Sequence, residues 1–71
     1  MAMRERLEEL VDEMVTGGIR FEDAQREFEK RFIARALQTA QGNLCRAAEL
    51  LGIHRNTLSR KIAEYHLRRT A

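Results

Sequence analysis

An all-α fold is predicted by three features of this 71-residue chain. Proline is absent and good helix formers dominate, so no backbone position lacks its amide donor. Apolar residues recur at helical spacing along most of the length. Glycines interrupt that spacing at Gly17-Gly18, Gly42 and Gly52, which divides the chain into four helical segments.

The first helix is predicted from about residue 2 to 15. Met3, Leu7, Leu10, Val11 and Met14 follow i, i+4, i+7, i+8, i+11 spacing and form one narrow stripe. Arg4, Glu5, Glu8, Glu9, Asp12 and Glu13 fill the other face. Thr16-Gly17-Gly18 ends the helix, with a glycine supplying the left-handed cap. The second helix is predicted from Arg20–Glu22 to about Gln41, with Glu22 and Asp23 in the first turn, where the helix dipole favours acids. It carries two apolar stripes: Phe21, Ala24, Phe28 and Phe32, then Ile33, Ala36, Leu37 and Ala40, rotated around the axis. Two stripes imply two partners, a dimer core for the first and the C-terminal helices for the second. Gly42 is expected to close this helix, and Asn43 is a good N-cap for the next.

The stretch Gly42–Tyr65 holds two short periodic segments broken by Gly52-Ile53-His54. Ala47, Ala48 and Leu51 sit at helical spacing in one; Leu58, Ile62 and Tyr65 follow i, i+4, i+7 in the other. Two short helices around a glycine turn make a helix-turn-helix pattern. Ala47 and Ala48 are small enough for the helices to approach closely. On the last helix, Arg55, Asn56, Ser59 and Arg60 point sideways or away from the apolar stripe, with Thr57 and Lys61 on the flanks. That face has no acid before Glu64. Guanidinium, amide and hydroxyl groups of this kind bond to base edges and phosphates. His54 stands where it either caps the helix or reaches DNA, and the sequence leaves both open. After Tyr65, Leu67 is placed to fold back onto the core, and Arg68 and Arg69 to form a loose basic end.

At Gly42-Asn43, Arg46-Ala47-Ala48, Leu51-Gly52-Ile53, Arg55, Thr57-Leu58 and Lys61-Ile62 the chain resembles the Fis family. The same motif closes the NtrC-type enhancer-binding activators. The resemblance covers about Phe28 to Leu67 and is weaker over the first helix. It implies an N-terminal helical pair, residues 1–41, forming a dimeric four-helix core with a second copy. Leu7, Leu10, Met14, Phe21 and Phe28 would lie at that interface. Residues 42–71 would present the last helix to the major groove of double-stranded DNA. By the family match Arg55 reads a guanine, Asn56, Ser59 and His54 sit near base edges, and Asn43, Arg46, Thr57, Arg60 and Lys61 hold phosphates. Asn43 and Thr57 could also act through backbone amides at helix N-termini. The family's closely spaced recognition helices imply DNA bending. Fis itself carries a mobile arm before its first helix; here that helix begins almost at Met1, so the arm's recombinase-stimulating activity is not carried over.

Composition bounds the alternatives. The chain is one domain at most, and so small a core is marginal unless oligomerisation supports it. One cysteine makes no internal disulfide, and His54 and His66 have no metal-ligand cluster around them. Cys45 suits a reducing cytoplasm. No apolar run approaches a bilayer-spanning length. Net charge is +2, but residues 1–40 carry seven basic and nine acidic side chains, −2, and residues 41–71 six basic and two acidic, +4. The polyanion-facing end is therefore the C-terminal one. No nucleophile–base pair and no phosphate loop is present, so neither an enzyme nor a cofactor or small-molecule substrate is expected. The reading is a homodimeric DNA-binding protein of the bacterial nucleoid or a transcriptional regulator. The alternatives are a detached C-terminal domain of an NtrC-type activator and a helical protein-interaction adaptor.

Overall fold

The computed structural model describes residues 2–67, which form four α-helices and no strand. The predicted basic end at Arg68 and Arg69 lies outside the described residues. The helices are α1 (Met3–Thr16), α2 (Phe21–Thr39), α3 (Leu44–Leu51) and α4 (Arg55–Tyr65). Each predicted boundary agrees within about two residues.

All four helices end in the same way, and the ends explain the turns. In each case the amide two residues past the last full turn reaches back to a carbonyl five residues earlier: Ile19 to Met14, Gly42 to Leu37, Ile53 to Ala48 and Leu67 to Ile62, at 2.9–3.1 Å. This is the Schellman closure, which needs one residue in the left-handed region and favours an apolar residue after it. At α1 and α3 the left-handed residue is Gly18 (φ 77°) and Gly52 (φ 70°), where a side chain would be strained. At α4 it is His66 (φ 54°). At α2 the structure corrects the expected terminator. Gln41 takes the closing conformation (φ 55°), and Gly42, also at positive φ (80°), follows it. Ile53 and Leu67, the apolar residues after two of these closures, pack on the core. Leu67 therefore folds back as expected.

The core is built from the second stripe of α2 and the inner faces of α3 and α4. Ile33, Leu37, Ala40, Ala47, Ala48, Leu58 and Ile62 form one buried cluster, with Leu44, Leu51, Ile53 and Tyr65 packed against it. Ala47 is fully buried. A larger residue there would hold the helices apart, because interiors are close-packed. Leu37 and Leu58 are the largest wholly buried side chains.

The N-terminal part is different. No residue of α1 is buried. Met3, Leu7, Leu10, Val11 and Val15 are exposed, Met14 is half-buried, and Ile19 in the following loop is exposed. The first stripe of α2 is equally open, with Phe21 79%, Phe28 56% and Phe32 53% exposed. Phe28 and Phe32 pack with tilted rings, 5.3 Å between centroids, and together with Leu10 and Met14 they line an apolar groove between α1 and α2. A single copy of the chain leaves this face in water. Among the described residues no helix is long and apolar enough to cross a membrane.

Candidate nucleic-acid interface

Burying Leu58 and Ile62 fixes the rotation of α4 about its axis. Arg55, Asn56, Ser59 and Arg60 are consequently exposed, Thr57 is half-buried, and the face carries no acid before Glu64. α3 contributes exposed Arg46 one turn into its start. Its N-cap is Asn43, as expected: Oδ1 accepts the Arg46 amide at 3.1 Å. The Asn43 backbone amide is committed elsewhere, to the Ala40 carbonyl at 3.0 Å. That removes it as an anion donor and leaves the side-chain Nδ2. The Thr57 amide, by contrast, has no acceptor among the described residues.

His54 resolves toward the cap. Its Nδ1 accepts the Asn56 amide at 3.0 Å, so the neutral ring carries its proton on Nε2. The ring remains exposed, and Nε2 is its free edge.

Two placements add contacts that the sequence does not show. Lys61 was expected at a phosphate. It is half-buried, and its Nζ donates to Glu29 Oε1 on α2. That hydrogen bond holds the ammonium pKa above its ordinary 10.5, against an opposing desolvation. The reason lies in the helix period. Lys61 follows Arg60 by 100°, far enough round the axis to meet α2 rather than solvent. The second is Cys45, to which the sequence assigned no role at the site. Its Sγ lies 3.8 Å from Arg55 Nη1. A thiol is a weak acceptor, so this contact places the guanidinium without holding it firmly.

Sequence reasoning also missed Arg26 and Glu29. Arg26 lies 3.6 Å from Glu64 and over the Tyr65 ring at 5.5 Å. Burial, aided by the Glu29 and Glu64 carboxylates, pushes the Tyr65 phenol up. The two acids nearest α4 are thus each matched by a base across the α2–α4 gap. Glu29 and Lys61 are 32 residues apart, and no local pattern links them. Among the described residues no His, Cys, Asp and Glu group could hold a metal.

The model for bacterial regulatory proteins of the Fis family matches residues 24–65. The chain belongs to the Fis family. The matched span takes in most of α2, all of α3 and α4 and the turn between them, and leaves α1 outside it. Among curated relatives, a Xylella fastidiosa (strain Temecula1) protein described as Fis-like and DNA-binding is 50% identical over 42 residues, 59% of this chain and 47% of that protein. Its counterpart in strain 9a5c is 49% identical over 41 residues, 58% of this chain and 46% of the relative. The DNA-binding transcriptional regulator NtrC of Azospirillum brasilense is 40% identical over 53 residues, 75% of this chain but 11% of NtrC. The chain therefore spans about half the length of the Fis-like relatives and about a tenth of NtrC. No solved structure matches it.

Proposed function

We propose that the chain is a homodimeric helix-turn-helix DNA-binding protein that inserts α4 into the major groove and bends the duplex. The observation that carries this is the face of α4: Arg55, Asn56, Ser59 and Arg60 stand exposed together without an intervening acid, in a chain of a family of bacterial regulators. Arg55 reads a guanine through its planar fork. Asn56, Ser59 and the free edge of His54 lie near base edges. Arg46, Arg60, the Asn43 side chain and the Thr57 amide hold phosphates. Exposed Leu7, Leu10, Phe21 and Phe28, with half-buried Met14, meet the same residues of a second copy. An isologous contact of this kind pairs one patch with itself. Bending follows if the two α4 helices stand closer than one DNA turn. The similarity to NtrC, which covers three quarters of this chain, favours a second reading: the same dimeric module serving as the DNA-binding end of a longer activator.

Binding to a random duplex should weaken steeply with salt, with a log–log slope on the order of −5 for the dimer, because each neutralised phosphate releases counterions. Arg60→Ala should flatten that slope. Filter binding or fluorescence anisotropy at several salt concentrations checks this, and an affinity indifferent to salt would reject the phosphate contacts.

Dimerisation has its own test. The melting temperature should rise with protein concentration, since dissociation and unfolding are then linked by mass action. A stable monomer at micromolar concentration in sedimentation equilibrium would remove the dimer from the proposal.

A further inference from the structure

We propose that Glu29, with Arg26 beside it, is a positioning residue for DNA recognition: it holds α4 against α2 through Lys61 and so fixes where the reading face stands relative to the apolar face of α2. The inference rests on the reading of α4 as the DNA-contacting helix.

The core holds α4 chiefly along its Leu58 and Ile62 edge. That apolar contact fixes the rotation of the helix and selects its crossing angle, but preferred packing angles scatter by about 15–20°, so a directional link narrows the tilt further. The C-terminal half of α4 is tied to α2 by polar links as well, beside the apolar contacts of Ile62 and Tyr65. Lys61 Nζ donates to Glu29 Oε1, with both side chains at least two-thirds shielded (33% and 26% exposed). Arg26 adds an ion pair to Glu64 at 3.6 Å and lies over the Tyr65 ring. The two links are unequal. The Arg26–Glu64 pair is exposed on both sides (59% and 47%), where ion pairs contribute little. The Glu29–Lys61 pair is shielded and charge-assisted, so it has the stronger directional hold.

The position of Glu29 on α2 makes the link consequential. It follows Phe28 and precedes Phe32, both on the exposed apolar stripe. Phe28, one of the residues proposed to join two copies, and the residue that clasps α4 are therefore neighbours on the same helix. Two copies reading one site need their α4 helices at a set separation and angle. A site misplaced by a fraction of an ångström loses much of its contact energy. The clasp should therefore matter for a two-half-site sequence and little for a random duplex bound through phosphates.

The test compares wild type, E29K, K61E, the E29K/K61E double variant and the milder E29Q. Each is measured on a duplex selected for tight binding and on a random duplex, with a thermal melt of each protein. E29K and K61E should each weaken the selected duplex by about tenfold, comparable to one mismatched base pair, with a smaller change on random DNA and melting within a few degrees of wild type. The double variant, whose net charge equals that of wild type, should recover most of the loss. E29Q should shift in the same direction by less. If E29K tightens both duplexes, K61E weakens both and the double variant shows no recovery, Lys61 is a plain DNA contact and the clasp is rejected. Losses that merely track the melting temperature reject it as well, in favour of a purely structural pair. A wild type that binds no duplex overturns the DNA reading itself, which separates that failure from the failure of the clasp.

Discussion

Leu58→Ala is expected to unfold the α2–α3–α4 core at room temperature. Leu58 is fully buried and, with Leu37, is the largest wholly buried side chain. Truncating such a leucine costs about 2–5 kcal/mol, the transfer term plus the cavity left behind. A domain of this size has only about 3–5 kcal/mol to lose. The neighbours at the site are short as well. Ala47, Ala48 and Ala40 share the cluster, so few side chains can swing in to fill the void. Leu50→Ala is the matched control: Leu50 is 56% exposed, and its truncation should change stability by about 0.5 kcal/mol or less. Far-UV circular dichroism melts at one fixed protein concentration make the comparison, because association shifts the midpoint. A Leu58→Ala protein that melted within a few degrees of wild type would show that this cluster does not hold the helices together.

Arg55→Ala should cost about 1–3 kcal/mol per half-site on a preferred sequence, and less on random DNA. The two halves of that expectation have different causes. On the preferred sequence the loss is the bidentate fork on a guanine. On random DNA it is one diffuse charge. Arg55→Lys separates them, since it keeps the charge and loses the planar fork. It should bind random DNA nearly as wild type while losing preference at one guanine in each half-site. The guanidinium is free to reach the groove: it is exposed, and its recorded side-chain contact is the weak one to Cys45 Sγ at 3.8 Å. The measurement is affinity of the three proteins for a selected duplex and for that duplex with the guanine replaced. Equal losses on both would make Arg55 a phosphate contact and leave base reading to Asn56, Ser59 or the free edge of His54.

Much of the fold was legible because its signals are local. Helix spacing, the Asn43 cap and the glycine closures each depend on residues within about five positions of one another, and a linear pattern records such relations directly. The second stripe of α2 was assigned to the C-terminal helices on its rotation alone, and Ile33, Ala36, Leu37 and Ala40 are buried. The closing residue of α2 was misplaced by one. Glycine is the usual left-handed residue, and here Gln41 takes that conformation with Gly42 behind it.

The site was legible on its outward side and illegible where two helices meet. Arg55, Asn56, Ser59 and Arg60 could be placed in solvent from the 100° step around α4, because Leu58 and Ile62 had to face inward. The same step leaves Lys61 on a flank, where the sequence does not distinguish a free lysine from a paired one. The partner decides it, and Glu29 lies 32 residues upstream. His54 is a similar case at shorter range, since a ring beside a helix start can cap or reach outward, and the structure shows its extended backbone at the N-cap position with Nδ1 on the Asn56 amide.

By itself, then, the sequence determined four helices, their ends to within about two residues, the inner and outer sides of the last one and the family to which the chain belongs. The tertiary structure alone decided that Lys61 pairs with Glu29 on α2, that Cys45 lies beside Arg55, and that α1 stays uncovered in one copy. Helix formation and capping are fixed by neighbours along the chain. These other matters depend on the angle and distance between helices far apart in sequence, which the packing of Ala47, Leu37 and Leu58 sets.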